Sequence, residues 1–345
     1  METRPQLLDH LFWKASDPRR VRLIRVSSAF PPELNPLASD GVVLKAAGVP
    51  GEAQHSKWIV AREGILDGIR KGRIEPGTTV IEATSGNTGD GMAKVCNALG
   101  LRFIAVMSVD VPHDKIDAIR VVGRRTGLHL LSDTDETTVA YARRLGAQDG
   151  WYNPDQYSGY WNPQAHCTYL APQLWEQQPN ISLLFVPSGT MGTSIGLSMY
   201  VREKHLRTKI IPIVCAEGEE VPGARTCASI SKEIRQPVQG FFRETDFGFG
   251  MRHESFHLSF LTWGHVIPHL GPTFGLGYAG ALRFLQKQRK LGDLDQFRHS
   301  DGKIHAVIIG PDDSRPYLPL YFGELKKWEL SAKTPPADLL SVLEK

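Results

Sequence analysis

The sequence predicts an α/β fold with two domains, each built on a twisted, mostly parallel sheet flanked by helices. Short apolar segments alternate along the chain with longer segments of helical periodicity. Strands that are apolar on both faces are typical of parallel sheets covered by helices on each side. Such strands are expected at residues 78–83, 102–108, 128–132, 181–186, 209–217 and 303–310.

Two units of similar design, each a strand followed by a glycine-rich loop and a helix, suggest that two domains face a shared cleft. We expect residues 50–155 to form a smaller, mobile α/β domain. Residues 1–49 together with 156–345 are expected to form the larger α/β domain. The polar and aromatic segment 148–166 is interpreted as the connection between them.

Length and composition narrow the class of protein. The 345 residues are enough for two cores, and 41% hydrophobic with 22% charged residues is typical of a globular protein. A net charge of +3 gives no reason to expect a nucleic acid or a membrane as partner. The N-terminal segment lacks a signal-peptide core, and the 4 cysteines are scattered. We therefore expect a cytoplasmic enzyme.

The loop at residues 187–193, PSGTMGT, follows an apolar strand and opens a helix. Backbone N–H groups at a helix N-terminus attract anions, and Gly189 and Gly192 allow a ligand to approach closely. Neither the Gly-Lys-Ser/Thr of a Walker loop nor the glycine order of a dinucleotide fingerprint is present. The loop thus predicts a phosphate site, and an ordinary tight turn into a helix is an equal alternative.

The loop at residues 84–89, TSGNTG, offers hydroxyl and amide side chains in addition to helix N–H groups. This mixture suits a carboxylate and a phenolic or carbonyl oxygen better than a triphosphate. Upstream of it, Lys57 begins an amphipathic pattern and is followed by Trp58 and Ile59. Desolvation there lowers a lysine pKa and favours a nucleophilic amine. A lysine that extends its amine to solvent is the alternative.

These three features follow one another in the order and spacing of a known family. They are HSKWIVA at residues 55–61, EATSGNTG at 82–89 and SGTMGTSIG at 188–196. The chain resembles the cysteine synthase and cystathionine β-synthase branch of the fold-type II (tryptophan synthase β-like) pyridoxal-phosphate enzymes. The segment at 155–177 is also similar to the family's Gln-x-x-Asn-Pro-x-x-His stretch.

The resemblance implies a role for each matching residue. Lys57 forms the internal aldimine with pyridoxal 5′-phosphate and is the base that removes the Cα proton. Asn87 bonds the 3′ oxygen of the cofactor. The substrate carboxylate is held by Thr84, Ser85, Thr88 and Gln156, and the phosphate by Gly189, Thr190, Met191, Gly192 and Thr193. The smaller domain carries Lys57 and the asparagine loop, and the larger one carries the phosphate loop.

The implied reaction is β-elimination or β-replacement on a serine-derived or cysteine-like amino acid, through an aminoacrylate. A threonine or serine dehydratase of the same fold is the alternative. The family also implies a homodimer with a small amino-acid substrate. No metal is expected.

Several positions depart from the family pattern. Asp90 stands where an aliphatic residue usually follows the loop glycine, and residues 240–260 do not match the usual active-site loop. The serine expected near the pyridine nitrogen is absent from residues 275–280, which leaves Thr273 and Tyr278 as candidates. These departures favour a specialised branch, for example in secondary metabolism, over housekeeping cysteine synthesis.

A competing motif occurs at His253-Glu254-Ser255-Phe256-His257, which matches the H-E-x-x-H pattern of zinc proteases. On a helix the two histidines share a face, and Glu254 would be the base. The usual continuations that supply a third ligand are missing from the sequence. Zinc hydrolysis is therefore a remote alternative.

Overall fold

The computed structural model describes residues 22–50, 55–84, 86–109, 125–132, 136–265 and 269–331, with a few single residues between 111 and 119. The strands are β1 (Arg25–Val26), β2 (Val42–Gly48), β3 (Thr79–Ala83), β4 (Arg102–Ser108), β5 (Thr126–Leu131), β6 (Trp151–Tyr152), β7 (Leu183–Pro187), β8 (Lys209–Cys215), β9 (Gly248–Gly250) and β10 (Ile304–Gly310).

Helices separate most of these strands along the chain. They are α1 (Lys57–Arg70), α2 (Asn87–Ala98), α3 (Thr138–Gly146), α4 (Trp161–Ala165), α5 (Ala171–Gln177), α6 (Gly192–Glu203), α7 (Cys227–Glu233), α8 (Arg252–Leu261), α9 (Pro272–Leu291) and α10 (Leu318–Ser331). A π-helical turn, His166–Leu170, joins α4 to α5. No helix in the described ranges is long and apolar enough to cross a membrane.

The smaller sheet has the strand order β5-β4-β3-β6, and its neighbouring strands are all parallel. Every residue of β3 is buried, as expected for a strand covered on both faces. The predicted strands 78–83 and 102–108 therefore form its centre. This sheet and helices α1 and α2 fall within residues 50–155, and the mobility of that part as a separate domain stays a prediction.

The larger sheet has the order β1-β2-β10-β7-β8-β9, with only β1 antiparallel to its neighbour. Its central strand β10 is buried along its whole length. Helix α9 packs against β7 and β10, with Phe274 and Tyr278 among the fully buried side chains. The predicted α/β class with mostly parallel sheets is confirmed.

The site lies where strands of both sheets end. β3 ends before the loop at residues 84–86, β7 before the loop at 188–191, and β10 before Pro311 and Asp312. In open parallel α/β sheets, ligands bind outside the carboxyl ends of the strands. The fold therefore brings together loops that are more than 200 residues apart in the sequence, since Asn87 and Asp312 are separated by 225 positions.

Candidate active site

One cavity of about 350 Å³ lies at these strand ends, within the size range of small-molecule sites. The predicted site residues that line it are Lys57, Thr84, Asn87, Thr88, Gln156, Gly189, Thr190, Met191, Gly192 and Thr193. Ser85 lies outside the described residues. The structure thus brings every described member of the predicted set to one cavity, although their individual roles stay predictions.

Lys57 is the first residue of α1, and the backbone just before it is fixed to the end of β10. The Ser56 N–H donates to the carbonyl oxygen of Pro311 over 2.9 Å, and His55 forms an isolated antiparallel bridge with Asp312. Burial lowers the pKa of Lys57 to about 8, while the negative charge of Asp312 works in the opposite direction. In roughly a tenth of the molecules the Lys57 amine is therefore neutral at pH 7, which is the form that acts as a nucleophile.

Asn87 is held by a carboxylate that was not predicted from the sequence. Its Nδ2 donates to Oδ2 of Asp312 over 2.8 Å, and the Tyr317 hydroxyl donates to the same oxygen. Asp312 is buried and lines the cavity. Its position directly after an apolar strand is the one sequence signal that could have identified it. The Asn87 amide is thereby fixed with its nitrogen toward Asp312.

Thr88 and Gln156 form a buried pair. The Thr88 hydroxyl donates to Oε1 of Gln156 over 2.9 Å, and Nε2 of Gln156 donates to the carbonyl oxygen of Ala83 over 2.9 Å. Thr84 acts within its own loop, since its Oγ1 accepts the N–H groups of Gly86 and Gly89. The Thr84 hydroxyl therefore stabilises the start of α2 as well as lining the cavity.

The phosphate loop leads directly into α6, which begins at Gly192. A Cβ at Gly189 would collide with the carbonyl oxygen of Gly223, and a Cβ at Gly192 would collide with the Asn162 amide, so both positions require glycine. Met191, where the family usually has glycine, is buried and adopts a left-handed φ of 64°. The backbone therefore retains the conformation that glycine normally provides.

A buried amide links the segment that carries Gln156 to the phosphate loop. Nδ2 of Asn162 donates to the carbonyl oxygen of Gln156 over 2.8 Å and to the Thr190 hydroxyl over 3.0 Å. Nearby, Oγ1 of Thr193 and Nε2 of His166 are 3.1 Å apart. Burial, reinforced by the charge of Lys57, holds the pKa of His166 well below its usual range. The imidazole is therefore neutral and adds no charge to the site.

The two candidates for the pyridine nitrogen differ in position. Thr273 lines the cavity, and its hydroxyl donates to the carbonyl oxygen of Pro222 over 2.7 Å. Tyr278 lies in the core, where its hydroxyl donates to the carbonyl oxygen of Leu34. The suggestion of Tyr278 is wrong because its side chain lies inside the core and does not line the cavity. Thr273 stays a prediction.

A charged wall of the cavity was not predicted from the sequence. It contains Glu219, Glu220 and Arg225, from the segment that follows β8. The Arg225 guanidinium donates to the Tyr157 hydroxyl over 3.2 Å and pairs with Glu233 over 2.6 Å. The wall therefore adds two acidic side chains and one guanidinium to the lining of the cavity.

The zinc-protease motif forms part of helix α8, but its glutamate does not face a metal site. Glu254 is fully buried, and its Oε2 accepts a hydrogen bond from Nη1 of Arg283 over 2.7 Å. Burial lowers the pKa of His257 to about 4, with a smaller effect from His253. No group of three or more potential metal ligands occurs in the part of the chain that the structure describes. The zinc hydrolase alternative is not supported because its base is paired with an arginine.

The groups around the cavity fit pyridoxal phosphate. A helix N-terminus bordered by required glycines and threonine hydroxyls is suited to a phosphate. An amine with a pKa near 8 is suited to an aldehyde, and an anchored amide to a ring oxygen. Lys57, Asn87 and the loop 189–193 would hold the cofactor in this arrangement.

Comparison with known proteins agrees with this arrangement. The model of the family described as "Pyridoxal-phosphate dependent enzyme" matches residues 56–245 of this chain. The chain is 35% identical over 300 residues to cystathionine β-synthase of Rattus norvegicus, covering 79% of this chain and 50% of that protein. It is 33% identical over 172 residues to cysteine synthase B of Escherichia coli, covering 47% and 54% of the two chains.

A solved structure has the same fold. The O-acetylserine-dependent cystathionine β-synthase of Helicobacter pylori matches with a TM-score of 0.67 and 21% identity, covering 88% of this chain and 96% of that one. The chain spans only 50 to 61% of the length of several curated relatives. The family match covers more than half of the chain and includes the loops that line the cavity. The protein is therefore a member of the pyridoxal-phosphate-dependent enzyme family.

Proposed function

We propose that this protein catalyses β-elimination or β-replacement on an amino acid that carries a leaving group on Cβ. The observation that carries the proposal is that Lys57, the Thr88–Gln156 pair and the phosphate loop line a single cavity. The names of the relatives support the choice of reaction, since cysteine synthase and cystathionine β-synthase occur repeatedly among them.

Lys57 has two roles in this proposal. When bound, pyridoxal phosphate supplies an aldehyde that takes up an amine and a ring that accepts electrons from the substrate Cα. The neutral amine of Lys57 would hold the cofactor and, when released from it, would accept the Cα proton of the substrate. Its lowered pKa suits both roles, because the base must be unprotonated near neutral pH.

The loop between β3 and α2 orients the substrate. Thr84, Ser85 and Thr88, together with Gln156, hold the substrate carboxylate, and the N-terminus of α2 favours its negative charge. Asn87, fixed by Asp312, holds the 3′ oxygen of the cofactor. The loop 189–193 binds the phosphate, and Thr273 is the group assigned to the pyridine nitrogen. These contacts fix the cofactor and the substrate relative to the Lys57 amine.

A substrate screen tests the reaction. Purified protein is incubated with O-acetylserine, O-phosphoserine, serine, cysteine and threonine, with and without a thiol. We expect pyruvate, or a new amino acid when the thiol is present, from at least one serine derivative. If only threonine reacts, giving ketobutyrate, the protein is a dehydratase and the β-replacement proposal is wrong. No turnover of any of these compounds would also contradict the proposal.

We also propose that the protein acts as a homodimer in the cytoplasm. The family resemblance supports the dimer. The four cysteines support a reducing compartment, because all of them are free and three are buried. Sedimentation equilibrium tests the dimer, since the chain mass is 38.3 kDa and a dimer would have twice that value.

A further inference from the structure

Asp90, the residue that departs from the family after the loop glycine, connects the two helices that carry the catalytic elements. It lies in the first turn of α2, and its Oδ2 is 2.7 Å from Nε2 of His55 and 2.6 Å from Nζ of Lys94. Burial alone would raise the pKa of Asp90, but the bonds from His55 and Lys94 hold it below its usual value. Asp90 is therefore a carboxylate at neutral pH.

The His55 ring has a partner on each nitrogen. Its Nδ1 accepts the backbone N–H of Lys57 over 3.2 Å, while its Nε2 faces Asp90. The carboxylate accepts only, so Nε2 carries the proton and Nδ1 stays free to accept. Ser56, the N-cap of α1, makes no side-chain capping bond. The imidazole therefore satisfies an N–H that the helix start would otherwise leave without a partner.

The packing around this contact is tight. The His55 side chain is 6% exposed and that of Asp90 is 18% exposed, whereas that of Lys94 is 52% exposed. A Cβ on Gly91 would approach the carbonyl oxygen of Lys57 to 3.2 Å, so α1 and α2 are in close contact here. A change in the direction of the His55 ring would therefore move the start of α1 relative to α2.

We propose that Asp90 is a positioning residue, which orients His55 so that the imidazole fixes the backbone, and hence the amine direction, of Lys57. The inference rests on the proposed function, in which Lys57 carries the cofactor. It assigns a purpose to Asp90, which departs from the family pattern directly after the loop glycine. Asp90 does not line the cavity, and the hydrogen bonds of its side chain within the described residues go to His55 and Lys94, so we expect it to act on Lys57 through His55.

The test is the hydrogen exchange of the Lys57 backbone amide in the protein as purified, resolved to single residues. Asp90→Asn removes the charge and weakens the bond to His55, because charge-assisted hydrogen bonds are roughly twice as strong as neutral ones. We expect about a 10-fold faster exchange of this amide and about a 10-fold lower kcat, the size typical of losing a supporting partner. KM should stay within about 2-fold, because the substrate loop is unchanged.

Two further variants separate positioning from a general effect on folding. Lys94→Ala removes the exposed partner of Asp90 and should change neither quantity by more than about 2-fold. His55→Asn retains an acceptor for the Lys57 N–H but cannot reach Asp90, so adding Asp90→Asn to it should have no further effect. Unchanged exchange in Asp90→Asn, an equal effect of Lys94→Ala, or additive effects in the double variant would overturn the proposal.

The exchange measurement requires no turnover. If the substrate screen fails but the Lys57 amide responds as expected, the proposed function is wrong and the positioning network is correct. If the screen succeeds and the amide does not respond, only the network is wrong.

Discussion

The cavity around Lys57 and helix α8 each contain a sequence motif that suggests catalysis, but the fold places the side chains of the two motifs in different surroundings. In the cavity, side chains that follow β3, β7 and β10 share one space of about 350 Å³. In α8, Glu254 is fully buried against Arg283, and its other contact is the backbone N–H of Met251. A motif predicts a site only where the fold leaves its reactive atoms facing a cavity.

Burial also has opposite chemical consequences in the two regions. It lowers the pKa of Lys57 to about 8, which makes an inert cation into a usable nucleophile. It lowers the pKa of His257 to about 4, which makes a titratable ring into a permanently neutral one near pH 7. Burial therefore makes Lys57 more nucleophilic but keeps His257 uncharged, because the ordinary pKa of lysine lies above neutrality and that of histidine lies below it.

Lys57→Ala should have the largest effect. Without its amine the protein loses both the covalent link to the cofactor and the base, so we expect turnover to fall by at least about 1000-fold. Turnover of an active serine derivative and absorbance of bound cofactor measure the change. His253→Ala, in the other region, is the matched control and should retain full turnover. Equal losses in both variants would remove the distinction between the regions.

Glu254→Gln should affect stability instead of catalysis. It leaves Arg283 without its buried charge partner, and breaking such pairs costs about 3–5 kcal/mol of unfolding free energy. Urea unfolding measures this loss. Asp67→Asn, which breaks the exposed pair with Lys71, should cost at most about 1 kcal/mol. A loss of turnover in the folded Glu254→Gln protein, without destabilisation, would instead indicate catalysis at α8.

The pH dependence of cofactor uptake should report the lowered pKa of Lys57. Only the neutral amine attacks an aldehyde, so the rate at which cofactor-free protein takes up pyridoxal phosphate should rise with pH and level off above about 8. Near neutral pH this amine is neutral more than about 100 times as often as a lysine of pKa 10.5. Stopped-flow absorbance measures the rate. A rate that continues to rise toward pH 10 would show that burial does not activate Lys57.

Thr88→Val should have the smallest effect. Valine keeps the shape but removes the hydroxyl, whose single proton bonds Gln156 in this structure and would be donated to the substrate carboxylate on binding. We expect KM to rise about 10-fold, or about 1.4 kcal/mol, with kcat little changed. Thr168→Val, at an exposed threonine, is the control. A fall in kcat at constant KM would place Thr88 in the chemical step instead.

Much of the fold could be predicted because its central strands are locally apolar. β3, β4, β8 and β10 lie within the expected segments, and β7 extends one residue beyond its own. Strand β2 was not predicted because Lys45 and the small residues after it weaken the apolar pattern of VVLKAAG, and the strand gains its place by pairing with β10, far along the chain. The segment interpreted as a domain connection contains β6 and all of α4, because its aromatic side chains pack into the core.

The site could be predicted where its chemistry lies in contiguous loops. Lys57, Asn87 and the phosphate loop are local patterns. Asp312 and Arg225 were not predicted, because only the meeting of distant strand ends gives them a role in the cavity. Asp90 departs from the family pattern in the sequence, but its bond to His55 could not be predicted because it forms only when α1 and α2 pack together.

Borohydride reduction of the purified protein, followed by peptide mapping, tests the central claim most directly. The protein should absorb at about 410–420 nm before reduction, as expected for this cofactor bound to a lysine. After reduction the absorbance should disappear, and the mass of the reduced cofactor should be found on Lys57. A label on another lysine, or a colourless protein that acquires no label when pyridoxal phosphate is added, would contradict the account.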